Sequence, residues 1–190
     1  MTTPVFTLAN QLTILRMGLA PLLVVLIVYR RLGWALAAFV VAGLSDLFDG
    51  FVARRSQQQT TLGAMLDPVA DKILLTSTFV ALTWTSGLLV SIPPWLTVTT
   101  LSRDAIIVIT VSIVNLTLGR RVFYPSLLGK LSTGSQLLTV GSVLLVDALE
   151  LPFAHVLRPI FWATLALTVT SAVHYVLLAS TGRVGGADTP

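Results

Sequence analysis

Apolar residues fall into six long blocks along this chain, separated by short joints that are polar, basic or marked by proline. The blocks run from about Leu12 to Tyr29, Trp34 to Arg54, Gly63 to Thr85, Trp95 to Leu118, Leu131 to Val146 and Leu157 to Leu178. Most have about the ~20 residues that a helix needs to cross the hydrocarbon core of a bilayer. The pattern predicts an all-α, polytopic integral membrane protein of about six transmembrane helices. Arg30-Arg31 closes the first block, and the polar run from Arg54 to Thr61 separates the second from the third. Ser91-Ile92-Pro93-Pro94-Trp95 predicts a turn with an interfacial tryptophan, matched by Trp84 across the loop. Gly119 to Lys130 is the most basic joint, and Asp147 and Glu150 are expected in the loop before the last block. Residues 1–9 read as an interfacial lead-in and 182–190 as a flexible tail, so 1–190 is expected to be one membrane domain. The first block lacks a basic leader and a small-residue cleavage signal, which predicts a retained helix.

Composition agrees with this picture. Hydrophobic residues make up 55% of the chain and charged residues 11%, where a soluble domain carries about a quarter charged. The net charge of +4 comes from basic residues near block ends. That distribution suits anionic head groups or phosphates and not nucleic acid, which asks for a basic stripe. With no cysteine, disulfides, thiolate catalysis and thiolate metal sites are excluded. Arg54, Arg55, Arg120, Arg121, Lys130 and Arg183 fall on one side, against Arg30, Arg31 and Arg158 on the other. The positive-inside rule then predicts both termini on the cytoplasmic side of an inner (plasma) membrane.

Against this apolar background, four of the eight acidic residues stand within 26 positions: Asp46, Asp49, Asp67 and Asp71. A carboxylate in such surroundings is costly and marks a functional site by default. On helices, Asp46 and Asp49 lie roughly 60° apart, and Asp67 and Asp71 roughly 40° apart. Each helix then carries a carboxylate pair on one face, and the polar joint brings the two helices together. Four such groups cannot all stay charged unless cations sit between them. A donor set made of carboxylate oxygens favours Mg²⁺ or Mn²⁺, and two such ions would bridge a diphosphate. The predicted site belongs on the cytoplasmic side.

The pattern Asp46-x2-Asp49-Gly50-x2-Ala53-Arg54-x8-Gly63-x3-Asp67-x3-Asp71 fills eight fixed positions. It resembles the CDP-alcohol phosphatidyltransferases, and the likeness extends more loosely over about Asn10 to Val140. The resemblance implies transfer of a phosphatidyl group from CDP-diacylglycerol to a hydroxyl, with release of CMP. It assigns Asp71 as the base that accepts the hydroxyl proton, and Asp46, Asp49 and Asp67, beside Asp71, as metal ligands. By the same resemblance Gly50 and Ala53 leave room for the cytosine ring. Asn10, Thr13 and Arg16 would help hold the nucleotide diphosphate, although the family's usual proline before that asparagine is Ala9 here. Asp49, Arg54 and Gly63 complete the expected CDP site. For Arg16, snorkelling to the head groups is the alternative.

The acceptor decides the product. Glycerol 3-phosphate would need cations beyond the metals, and Arg103, Lys130, Arg120 and Arg121 are the candidates. Lys130-x2-Thr133-x2-Gln136 resembles the phosphatidylglycerophosphate synthases and favours that acceptor. Ser102-Arg103-Asp104 and Pro125-Ser126-Leu127-Leu128 lean towards the cardiolipin synthases, whose acceptor would be phosphatidylglycerol. Arg103 and Asp104 could also simply satisfy each other. A membrane prenyltransferase would need more helices, and an ion-coupled transporter would more readily show paired broken helices or repeats. Ala35, Ala37, Ala38, Ala42 and Gly43 give the second block a slim face, and together with the family resemblance they predict a homodimer.

Overall fold

The computed structural model describes the backbone over residues 8–56, 61–118, 127–152 and 154–180, and side chains over 15–45, 70–110, 127–152 and 155–178. Six α-helices follow one another: α1 (Leu8–Val28), α2 (Leu32–Ser56), α3 (Thr61–Trp84), α4 (Pro94–Leu118), α5 (Leu127–Ala148) and α6 (Leu157–Ser180). A single 3₁₀ turn, Ala154–Val156, leads into α6. No strand occurs among the described residues.

Every apolar block lies on a helix, but helices α1, α2, α3 and α5 begin two to four residues before their block does. Helical hydrogen bonding does not stop where apolar sequence stops, so polar residues such as Lys130 are drawn into the first turn. Two expectations change as a result. Pro68 is the eighth residue of α3 and not part of its first turn, so it removes an amide from the helix interior. Asp147 belongs to the last turn of α5 and not to the following loop.

Two helices end in the same way. At the end of α1 the Arg31 amide bonds the Leu26 carbonyl at 2.8 Å and the Arg30 amide bonds Ile27 at 2.9 Å. At the end of α5 Leu151 bonds Val146 at 2.9 Å and Glu150 bonds Asp147 at 3.4 Å. These are Schellman closures, which need a left-handed residue just past the helix. Arg30 (φ 56°) and Glu150 (φ 48°) fill that place where glycine is usual. Each costs roughly 1 kcal/mol of backbone strain.

The chain divides into two compact units, residues Met1–Ser91 with Val140–Ala154, and Ile92–Thr139 with His155–Pro190. In the first unit α1 packs against both α2 and α3. Its core alternates small and large side chains: Ala20, Ala35, Ala42 and Ala70 are buried beside Leu23, Ile27, Phe79 and Leu82. Alanine at these positions lets the backbones approach closely. The second unit, in which α4 packs on α6, buries many polar groups beside Ile92, Leu96, Leu157 and Phe161. Thr97, Thr100, Arg103, Ser132, Gln136, Thr139, Thr164, Thr168 and Ser171 are all inside, while Val108, Leu138 and Val173 face outward. Thr139 and Thr164 meet hydroxyl to hydroxyl at 2.8 Å, and Ser132 and Thr168 at 3.3 Å. A helix surface that is apolar outside and hydroxyl-bonded inside inverts the order of a water-soluble domain.

Candidate active site

The first unit carries the aspartate motif on regular helices. Asp46, Asp49, Gly50, Ala53 and Arg54 lie on α2, and Gly63, Asp67 and Asp71 on α3. Asn10, Thr13 and Arg16 lie on α1, the helix that packs against both of the others. The register that the motif spacing assumes therefore holds for both aspartate pairs. Of these residues, the side chains of Arg16 and Asp71 are described; those of Asn10, Thr13, Asp46, Asp49, Gly50, Ala53, Arg54, Gly63 and Asp67 lie outside the described residues.

Arg16 and Asp71 meet. The Arg16 Nη1 donates to Asp71 Oδ1 at 2.5 Å across 55 residues of sequence. Arg16 is 3% exposed and Asp71 46% exposed, so a buried guanidinium holds a carboxylate that opens outward. The contact is charge-assisted, and the planar guanidinium fixes both direction and distance. The sequence reading gave Arg16 to the diphosphate; nothing in the spacing of α1 and α3 pointed to Asp71.

In the second unit Arg103 is 5% exposed and already engaged. Its Nη1 donates to Asp104 Oδ1 at 2.8 Å and its Nη2 to Ser171 Oγ on α6 at 2.9 Å. Lys130 is exposed in the first turn of α5. Thr133 bonds back to the Gly129 carbonyl, and Gln136 is fully buried with its amide 3.4 Å from Ser132 Oγ. Arg120 and Arg121 lie outside the described residues.

Asp147 is the acid whose role the sequence did not reveal. It is buried, and its two carboxylate oxygens accept from the Leu89 amide at 2.5 Å and the Val90 amide at 3.3 Å. It thereby fixes the loop after α3. A carboxylate at the end of an apolar helix was the available signal, since such a group is retained only with partners.

Two helices of the first unit thus carry the aspartate motif, and a basic residue of a third is bonded to its last aspartate. The chain belongs to the CDP-alcohol phosphatidyltransferase family, whose sequence model matches residues 6–171. It is 33% identical over 186 residues to human cardiolipin synthase (CMP-forming), covering 90% of this chain and 60% of that protein. It is 36% identical over 156 residues to cardiolipin synthase (CMP-forming) of Streptomyces coelicolor, covering 77% of this chain and 68% of the relative. A probable phosphatidylglycerophosphate synthase of Mycobacterium tuberculosis H37Rv is 34% identical over 181 residues, covering 90% of this chain and 81% of the relative. The chain thus spans about 60% of the human relative's length.

Proposed function

We propose that this chain is a membrane-embedded enzyme of phospholipid synthesis that transfers a phosphatidyl group from CDP-diacylglycerol to a hydroxyl acceptor and releases CMP. The observation that carries the reading is the complete eight-position motif on α2 and α3, with Asp71 held by buried Arg16. Asp71 accepts the proton of the attacking hydroxyl. Arg16 keeps the Asp71 carboxylate aimed, and Gly50 and Ala53 leave space for the cytosine. The donor set is carboxylate oxygen throughout, and it fits a hard divalent cation. Asp46, Asp49, Asp67 and Asp71 would hold Mg²⁺ or Mn²⁺, which when bound neutralises the charge of the diphosphate. Chelator should abolish CMP release and either ion restore it, measured on purified protein with CDP-diacylglycerol. Undiminished turnover in excess chelator would sink the metal assignment.

All six helices span the bilayer in this reading. Among the described residues, Leu127–Ala148 and Leu157–Leu178 are long and apolar enough by themselves. The polar interior and apolar exterior of the second unit support membrane burial of α4 as well. The four tryptophans, Trp34, Trp84, Trp95 and Trp162, all flank the α1–α2, α3–α4 or α5–α6 joints, as an aromatic belt at one membrane face requires. The aspartate motif then faces the opposite, cytoplasmic side.

For the acceptor we favour phosphatidylglycerol, giving cardiolipin. Arg103 already shares its charge with Asp104, and the human and Streptomyces relatives are named cardiolipin synthases. Glycerol 3-phosphate is the second reading, carried by Lys130-x2-Thr133-x2-Gln136 and by the Mycobacterium relative. The test is product analysis with each acceptor in turn.

A further inference from the structure

At the end of the first unit away from the aspartate motif, α1 and α3 part to leave a groove of about 750 Å³. Its lining is mainly apolar, from Val24 and Val28 of α1 and Val80, Ala81 and Trp84 of α3, with Ser77, Thr85 and Ser86 adding hydroxyls. Arg30 also lines it. Trp84 follows Asp71 by 13 residues on one helix, which places the groove roughly 20 Å from the catalytic carboxylate.

Arg30 is placed there by the backbone at two points. Its own left-handed conformation (φ 56°) closes α1. The guanidinium then lies against Gly87, itself left-handed (φ 79°). A Cβ at Gly87 would stand 2.9 Å from Arg30 Nη1 and 3.1 Å from its Cζ, so a larger residue there would shift the guanidinium from this position. Asp147, held by the Leu89 and Val90 amides, attracts Arg30 without closing an ion pair on it. Among the described residues no ion pair uses Arg30, and it remains exposed. A largely apolar groove that is also lined by an exposed cation, next to Trp84, suits a molecule with an apolar chain and an anionic head.

We propose that this groove binds an anionic phospholipid, with an acyl chain against Val24, Val28, Val80 and Trp84 and the head-group phosphate on Arg30. Charge complementarity selects the occupant: a zwitterionic lipid offers the same chain but carries its own cation beside the phosphate. The site rests on the membrane reading above but is separate from the reaction, because it lies at the opposite end of α3 from Asp71. It gives the enzyme a lipid contact in the leaflet away from its active site.

The test uses the purified full chain in nonionic detergent and lipids brominated on their acyl chains, which quench nearby tryptophan. Brominated phosphatidylglycerol should quench at lower concentration than brominated phosphatidylcholine, and Trp84→Phe should remove that preference. Arg30→Gln should weaken the phosphatidylglycerol response about fivefold while CMP release persists. Val80→Phe, which narrows the trough and leaves Arg30 in place, should weaken the response to both lipids. Equal quenching by the two lipids in the wild type, or an unchanged preference in Arg30→Gln, overturns the proposal while leaving the enzyme reading intact. So does competition by millimolar inorganic phosphate, which would mean an anion site without a chain. A change of oligomeric state in Arg30→Gln would instead make the groove a contact between copies.

Discussion

At the scale of single residues, the Arg16–Asp71 pair changes what the sequence implied. The motif made Asp71 legible, because a spacing of four on a helix sets it on the same face as Asp67. The sequence offered Arg16 either to the diphosphate or as a cation snorkelling to the head groups, but its partner was not legible: 55 residues separate the two, and no pattern links them. If Asp71 is the base, Asp71→Asn should lower kcat by about 10²–10⁴ while CDP-diacylglycerol still binds. Arg16 then separates two roles cleanly. As a positioning residue, Arg16→Ala should lower kcat with little change in the KM for CDP-diacylglycerol, and Arg16→Lys should restore part of it. As a diphosphate ligand it should raise that KM instead. Steady-state kinetics on the three variants decide between these outcomes, and near wild-type turnover in Asp71→Asn would remove the base from the mechanism.

At the scale of elements, hydrophobic blocks located all six helices of the described residues, but missed the starts of α1, α2, α3 and α5. The reason is physical: a block records where a helix meets apolar surroundings, whereas an end records where its hydrogen bonds are capped. Arg30 and Glu150 illustrate this, since nothing in an arginine or a glutamate announces a left-handed closure. Asp147 shows the cost of missing an end. Placed in a loop it is a surface charge; placed in the last turn of α5 it is a buried acceptor for two amides of another segment. Hydrogen bonds to a charged group contribute about 1.5–3 kcal/mol each, less here where the loop is part-exposed. Asp147→Ala should therefore lower the thermal midpoint by several degrees, and Asp147→Asn, which keeps one acceptor, by less. Hydrogen exchange at Leu89 and Val90 should speed up in both. Unchanged exchange at those amides would mean the carboxylate does not hold the loop.

At the scale of the whole molecule, the chain's polarity is the evidence that composition could only announce. A mean hydropathy of +0.89 said that apolar surface exceeded what a soluble fold can bury. It could not say that Gln136, Thr139, Thr168 and Ser171 would be buried while Leu138 and Val173 faced out. That arrangement bears on the acceptor. A phosphomonoester such as glycerol 3-phosphate brings close to two negative charges and needs cations not already spent. Arg103, the buried one of the two described candidates, gives one nitrogen to Asp104 and another to Ser171, which leaves Lys130 as the exposed cation among them. Phosphatidylglycerol carries a single charge on its phosphodiester and asks for less. Offered both acceptors with CDP-diacylglycerol, the wild type should make cardiolipin. Freeing Arg103 by Asp104→Asn should then raise turnover with glycerol 3-phosphate relative to phosphatidylglycerol, because a guanidinium released from its carboxylate can meet a second phosphate charge. Lys130→Ala should cost more with glycerol 3-phosphate than with phosphatidylglycerol, read as the ratio of kcat/KM for the two. A wild type that makes phosphatidylglycerophosphate and no cardiolipin would reverse the order of the two readings and return the acceptor phosphate to Lys130 and Arg103 together.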